Sequence, residues 1–276
     1  MQRMMADNLQ QQNRLGWLPD ELRIAETGDT LYFVGCAPYL DLLFEELNPE
    51  TTHAAIDSIR ILNKLGIEPV VMAGEVCCGH DLLWNGDIDS FRKLAAKNAE
   101  AIAATGAKTI LFSCAECMSA FTELYPAHDI NIKAEMLHMS QFLANKINAG
   151  QLELTGGEKS VTYQDPCRLG RHMGIYDEPR QVLSSGSNGN YREMKQHGPA
   201  SLCCGVSGWM NCDVTSKLMQ VERLMQATSA GAETMAVACP KCKIHLTCSM
   251  KDKALRKNYG VEIRDIATIT LERMKH

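Results

Sequence analysis

The sequence predicts an α/β protein built from two tandem halves of related sequence, each folded around its own parallel sheet. Three observations predict it: a cysteine pattern that occurs twice, apolar runs that alternate with amphipathic helical segments in both halves, and a turn-rich stretch between them. Ten of the twelve cysteines make the pattern. In the first set, Cys36 is followed after 40 residues by Cys77-Cys78-Gly79, and 35 residues separate Cys78 from Cys114-Ala-Glu-Cys117. In the second set, Cys167 is followed after 35 residues by Cys203-Cys204-Gly205, and 34 residues separate Cys204 from Cys239-Pro-Lys-Cys242.

The elements follow in order. Residues 30–35 form an apolar strand, and the segment 51–65 sets Ala55, Ile56, Ile59, Leu62 and Leu65 on one helical face. A strand over 67–72 comes next. A helix over 90–105 then carries the stripe Phe91, Leu94, Ala95, Ala99 and Ile102, and 108–113 is a further strand. The second half echoes this with a strand over 160–164, a short helix over 178–185 and a strand over 191–195. A helix over 214–229, with Leu218, Val221, Leu224 and Met225 inward, leads to a strand over 234–238. Asn148-Ala-Gly150 and Thr155-Gly-Gly-Glu-Lys159 stop one half and start the other, which places the linker at 148–159. The halves are therefore 30–150 and 151–276, two Rossmann-like units. Residues 1–29 belong to neither and read as an arm, free or in contact with a partner.

Composition narrows the function. The 276 residues hold 28 basic and 33 acidic side chains, a net charge of −5, and a pI near 5.9. No electrostatic footprint for nucleic acid or an anionic membrane is present. The Gln-rich N-terminus has no secretory core, and no apolar stretch is long enough to insert in a membrane, so a cytoplasmic protein is expected. In a reducing compartment, clustered cysteines point to metal binding or thiol chemistry rather than disulfides.

Position sharpens this. Cys36, Cys114, Cys167 and Cys239 follow the end of a predicted strand, at once or after two intervening residues, where parallel sheets bind ligands. The Cys-Cys-Gly pairs fall in loops, with Gly79 and Gly205 free to turn tightly. Soft thiolates select zinc, copper(I) or iron–sulfur clusters. Zinc closes with four ligands, so five sulfurs overfill its site, although zinc in one half or both stays open.

The two sets, with the phrases Tyr-Phe-Val-Gly-Cys, Cys-Cys-Gly-His-Asp, Asp-Pro-Cys-Arg-Leu-Gly-Arg-His and Ala-Cys-Pro-Lys-Cys-Lys-Ile-His, resemble the paired cysteine-rich CCG domains of the disulfide-cleaving subunit of heterodisulfide reductase and its relatives. The resemblance covers 30 to about 271. It implies two non-cubane [4Fe-4S] clusters, one held by Cys36, Cys77, Cys78, Cys114 and Cys117, the other by Cys167, Cys203, Cys204, Cys239 and Cys242. It also implies a small disulfide or thiol substrate in a pocket between them. No ferredoxin-like C-x-x-C-x-x-C precedes Cys36, which implies that electrons arrive from a separate ferredoxin-like iron–sulfur subunit or a flavin-containing subunit. Residues 1–29 resemble the segment that joins the two parts in fused relatives. Where the family has a Gly-rich run after the second Cys-Cys-Gly, this chain has Val206-Ser-Gly-Trp-Met210.

Two rival readings stay open beside disulfide chemistry. One is pure electron relay, as in class II benzoyl-CoA reductase complexes; the other is a zinc-bound structural or redox-sensing module. Candidate catalytic residues are His80, Arg168, Arg171, His172 and Lys241. His80 could protonate a leaving thiolate, while the cations, with Lys243 and His245 nearby, offset cluster charge or bind an anionic substrate tail. Salt-bridged surface charge is the plain alternative for these cations, and a supporting hydrogen bond for His80. Asp165 flanks Cys167 in the same way. Cys212 and Cys248 lie outside both sets and read as small buried hydrophobes.

Overall fold

Two three-stranded parallel sheets carry the two halves. A computed structural model describes residues 1–7, 13–205, 213–255 and 259–275. The first sheet holds β1 (Thr30–Phe33), β2 (Thr109–Phe112) and β3 (Glu135–His138) in that order, with Leu31 opposite Ile110 and Ile110 opposite Met136. The second holds β4 (Val161–Tyr163), β5 (Thr234–Val237) and β6 (Glu262–Asp265), with Thr162 opposite Met235 and Met235 opposite Ile263. Apolar side chains on both faces are buried, Leu31, Phe33, Ile110 and Phe112 on one and Tyr32 and Leu111 on the other, as parallel sheets covered by helices require.

Two predicted strands shrink to isolated bridges. Val70 pairs with Leu31 and Tyr191 with Val161, in equivalent places outside β1 and β4. Pro69 supplies no N–H, so the first of these pairings begins only at Val70. The sequence reading missed β3 and β6 altogether. Both edge strands run from an exposed Glu to a buried polar residue, His138 or Asp265, so neither shows an apolar run.

The helices cover the sheets and join the halves. α1 (Gln2–Ala6) lies against α5 (Ile88–Thr105), where Lys97 Nζ donates to the carbonyls of Met5 (2.7 Å) and Ala6 (2.6 Å). The described part of residues 1–29 thus packs on the first half. Between α1 and α5 in the chain come α2 (Ala37–Leu43), α3 (Thr51–Lys64) and α4 (His80–Trp84); after α5 come α6 (Ala115–Ser119) and α7 (Met139–Asn148). The second half adds α8 (Asp177–Ser184), α9 (Val214–Ser229), α10 (Pro240–Met250) and α11 (Ile266–Arg273). α7 packs on α8 and α11 on α3, two equivalent contacts that clasp the halves together.

The caps of these two clasping helices are themselves equivalent. His138 caps α7, its Nδ1 accepting from Ser140 N (3.1 Å) while its Nε2 donates to Ala238 O of the other half (3.1 Å). Burial pushes its pKa down to about 4, so it is neutral at neutral pH. Asp265 caps α11, accepting from Ala267 N (2.8 Å), and burial pushes its pKa up to about 7.

One helix buries only part of its predicted stripe, Leu224 fully and Val221 partly. On α9, Leu218 is 63% and Met225 40% exposed, whereas Ser216, Gln220, Arg223 and Leu224 are buried. The helix turns a polar row inward because hydrogen-bond partners wait there, including Gln164, Gln196 and Ser249.

Candidate metal centre

Every motif cysteine stands at the carboxyl edge of its sheet. Cys36, Cys114 and Cys239 are the N-caps of α2, α6 and α10, and Cys167 opens the π-helical turn Arg168–His172. Helix N-termini leave backbone N–H groups unpaired and so favour negative charge at these sulfurs. Each Cys-Cys-Gly closes on itself, with Gly79 N donating to Cys77 Sγ (3.5 Å) and Gly205 N donating to Cys203. Gly79 has φ +79°, and a Cβ there would meet the Phe91 ring at 2.9 Å. Gly35, φ +68°, clears space for a thiol: a Cβ would lie 2.9 Å from Cys117 Sγ.

The ten thiols form one string of hydrogen-bonding neighbours. It runs Cys36, Cys77, Cys78, Cys117, Cys114 in the first half, crosses from Cys114 to Cys239, and continues Cys242, Cys204, Cys203, Cys167. The order of motif positions in one half mirrors that in the other about the Cys114–Cys239 contact. Cys36, Cys167 and Cys203 are partly exposed, and the other seven are buried. The hydrogen bonds that Cys117 and Cys242 donate to neighbouring thiols, then burial, push their pKa values well up, so as bare thiols they keep their protons.

A charged network sits against the middle of this string. Lys241, from the second half, bonds both Asp81 and Glu116 of the first, with side chains 4%, 6% and 11% exposed. Burial opposes the ammonium charge, yet the two carboxylates hold the Lys241 pKa well above its ordinary value. For Asp81, burial is outweighed by the His80 hydrogen bond and the charge of Lys241, which leave it below the usual carboxylate range. Arg168 Nε donates to His80 Nε2 (3.1 Å), so His80 Nδ1 carries the proton it shares with Asp81 (3.1 Å). The Arg168 guanidinium lies 4.3 Å over the Trp84 ring and donates to His172 Nε2 (2.6 Å).

Of the predicted site residues, the fold therefore gathers His80, Arg168, His172 and Lys241 into one network. Arg171 stands apart, exposed and bonded to Ser201 O near Cys203. Lys243 donates to Glu50 O (3.2 Å), and Asp165 is held bidentately by Arg180 (2.7 and 2.9 Å). Cys248 is half-buried and accepts from Lys217 (3.3 Å); it lies off the string. Cys212 and Val206–Met210 lie outside the described residues.

Sequence reasoning missed Asp81, Glu116, Arg14, Glu75 and Arg223. One signal was available: Glu116 and Lys241 are the same position of the two C-x-x-C motifs with opposite charge. Glu75 had no such signal. It is buried and accepts from Val34 N (3.0 Å), Gly35 N (2.6 Å) and Arg14 (2.6 Å), bracing the turn that leads to Cys36.

Comparison with known proteins adds the family. A model of the CCG cysteine-rich domain matches residues 30–122 and again 161–266, which takes in both cysteine sets. The chain belongs to the CCG cysteine-rich domain family. Among curated relatives, one subunit of the dihydromethanophenazine:CoB–CoM heterodisulfide reductase of Methanosarcina barkeri is 35% identical over 86% of this chain and 58% of its own length. One subunit of the fumarate reductase (CoM/CoB) of Methanothermobacter marburgensis is 28% identical over 81% of this chain and 42% of its own. EtfAB:quinone oxidoreductase of Syntrophomonas wolfei is 26% identical over 95% and 38%. The chain spans little more than half the length of the first of these relatives, and less of the other two. No helix among the described residues is long and apolar enough to cross a membrane.

Proposed function

We propose that this CCG protein is the iron–sulfur subunit of a heterodisulfide-reductase-like complex, and that it reduces a disulfide or oxidises thiols at two non-cubane [4Fe-4S] clusters. The observation that carries the reading is the mirrored string of thiols, five from each half, meeting at Cys114 and Cys239. The donor set fits: five sulfurs per half exceed what tetrahedral zinc uses, and buried thiols such as Cys117 and Cys242 need bound cations to become thiolates. Cys36, Cys77, Cys78, Cys114 and Cys117 would hold one cluster, and Cys167, Cys203, Cys204, Cys239 and Cys242 the other. Such clusters, when bound, supply one-electron transfer.

The chain's own residues prepare the site. Lys241, Asp81 and Glu116 keep the two sulfur sets at a fixed spacing and exclude water between them. His80 holds its Nδ1 proton toward Asp81, and Arg168 secures that tautomer from the other half. Arg171 and His172, exposed beside the partly exposed Cys167 and Cys203, offer positive charge and a hydrogen-bond donor to the anionic tail of an approaching thiol or disulfide. The relatives' names, subunits of heterodisulfide and fumarate reductases and a quinone oxidoreductase, support a redox role with different end substrates. Ferredoxin-like and flavin-containing partners in the cytoplasm complete the reading, with residues 1–29 as a candidate contact.

The continuous string of sulfurs also favours a second reading, electron relay to another subunit. One experiment separates the readings: iron, zinc and acid-labile sulfide per chain on anaerobic protein, then EPR under partial oxidation with and without a small thiol. About eight iron and eight sulfide with a thiol-dependent signal is the expected result. Iron with no response to thiol favours relay, and zinc in place of iron refutes both.

A further inference from the structure

Equivalent positions of the two halves differ at one buried place. Sixteen residues before the first cysteine of each C-x-x-C stand Asn98 in the first half and Arg223 in the second. Both are fully buried. Asn98 is neutral and satisfied by Val76 N and O, Cys77 O and the Tyr125 hydroxyl.

Arg223 is different. Its Nε donates to Gln164 Oε1 (2.7 Å), and its Nη1 to Gln196 O (2.7 Å) and Gln226 Oε1 (2.9 Å); Nη2 has no hydrogen-bond partner among the described residues. All these partners are neutral. Asp165, the strongest acidic influence on it, is engaged bidentately by Arg180, and no ion pair to Arg223 forms among the described residues. The sulfurs of Cys242 and Cys204 come next among the groups that bear on the guanidinium, and they carry negative charge only once they ligate a metal. Burial lowers its pKa only to about 10, so it stays cationic at neutral pH. A buried charge without a counter-ion is costly, and thiolates of the second set are the groups placed to compensate it.

The first set has no such excess. Arg14 is matched by Glu75, and Lys241 is shared by Asp81 and Glu116, so these buried cations have carboxylate partners. We propose that Arg223 is the buried counter-ion of the second sulfur set and makes the cluster there the more easily reduced of the two. This rests on the iron–sulfur reading given above. A fixed positive charge in a low-dielectric interior stabilises the reduced, more negative state of an adjacent cluster. Electrons then collect at the end of the string where Cys167 and Cys203 are partly exposed.

The test is a redox titration of anaerobic holoprotein followed by EPR, with iron and sulfide counted first. Arg223→Gln removes the charge and keeps hydrogen bonding, while Arg223→Lys keeps the charge. In Arg223→Gln, with iron and sulfide unchanged, one of the two reduction steps is expected to fall at least tenfold in its equilibrium constant, about 59 mV for a one-electron couple. The other step stays in place, and Arg223→Lys stays near wild type. Both steps unmoved, or both moved equally, overturns the proposal. If Arg223→Gln fails to load, the reciprocal Cys78→Ala and Cys204→Ala proteins are titrated for their remaining clusters. The cluster that survives in Cys78→Ala is expected to be the more easily reduced, and equal or reversed order overturns the proposal. Wild-type protein without two clusters is a separate outcome, visible in the metal count, that removes the iron–sulfur reading and this proposal with it.

Discussion

Replacing Lys241 by Met deletes a cation that two first-half carboxylates share. In the native protein its side chain and those of Asp81 and Glu116 are 4%, 6% and 11% exposed, so water screens the resulting charges poorly. Removing one partner of a buried ion pair costs about 3–5 kcal/mol, because the other is left uncompensated. For a chain of this size that lowers the melting temperature on the order of 10 °C. Glu116→Gln should cost less, about 1–3 kcal/mol, since Lys241 keeps Asp81. The transposed pair Glu116→Lys with Lys241→Glu should recover part of the loss, because the two sites are equivalent and Lys at 116 still neighbours Asp81. The assay is anaerobic urea unfolding of proteins matched in metal content, read as a double-mutant cycle. Lys241→Met within about 1 kcal/mol of wild type, with no coupling to Glu116→Gln, would refute the argument that this lysine pins the halves.

Three further outcomes are expected. Gly35→Ala places a methyl on Cys117 Sγ at a backbone φ of +68°, so iron per chain should fall toward half the wild-type value, with a conformational cost of about 1–2 kcal/mol; unchanged iron would count against it. Asp265 has its pKa raised from 3.8 to about 7 by burial, so its contribution is favourable at low pH and is lost as pH rises from about 4 through 7. Asp265→Asn keeps the cap and should therefore be more stable than wild type at pH 8, by at most about 4 kcal/mol, with the gap closing toward pH 4 in chemical denaturation. On α9, Leu218→Lys should change stability by no more than about 0.5 kcal/mol, while Leu224→Ala should cost about 2–5 kcal/mol, as the two exposures demand.

The doubled cysteine pattern and the alternating apolar runs made the two-sheet architecture and the carboxyl-edge position of the thiols legible in the sequence alone. The edge strands β3 and β6 were not legible, because their outer residues are polar and their burial comes only from neighbouring strands and helices. The α9 stripe misled for a related reason. Its apolar residues follow helical period, but the interior beside the second cysteine set is polar, and Arg223, Gln220 and Ser216 win the inward face through hydrogen bonds.

What the sequence determined by itself is the inventory: ten thiols in two equivalent sets, the glycines beside them, and a cluster of His, Arg and Lys near the motifs. What only the tertiary structure decided is how the halves meet. The contact of Cys114 with Cys239, the pairing of Glu116 and Asp81 with Lys241, and the lack of an ion pair to Arg223 among the described residues join residues 59 to 160 positions apart or depend on who is absent nearby. Local propensity carries no information at that separation. Such contacts are set by the packing of α7 on α8 and of α11 on α3, which brings one sheet edge against the other and takes the charges between them out of water.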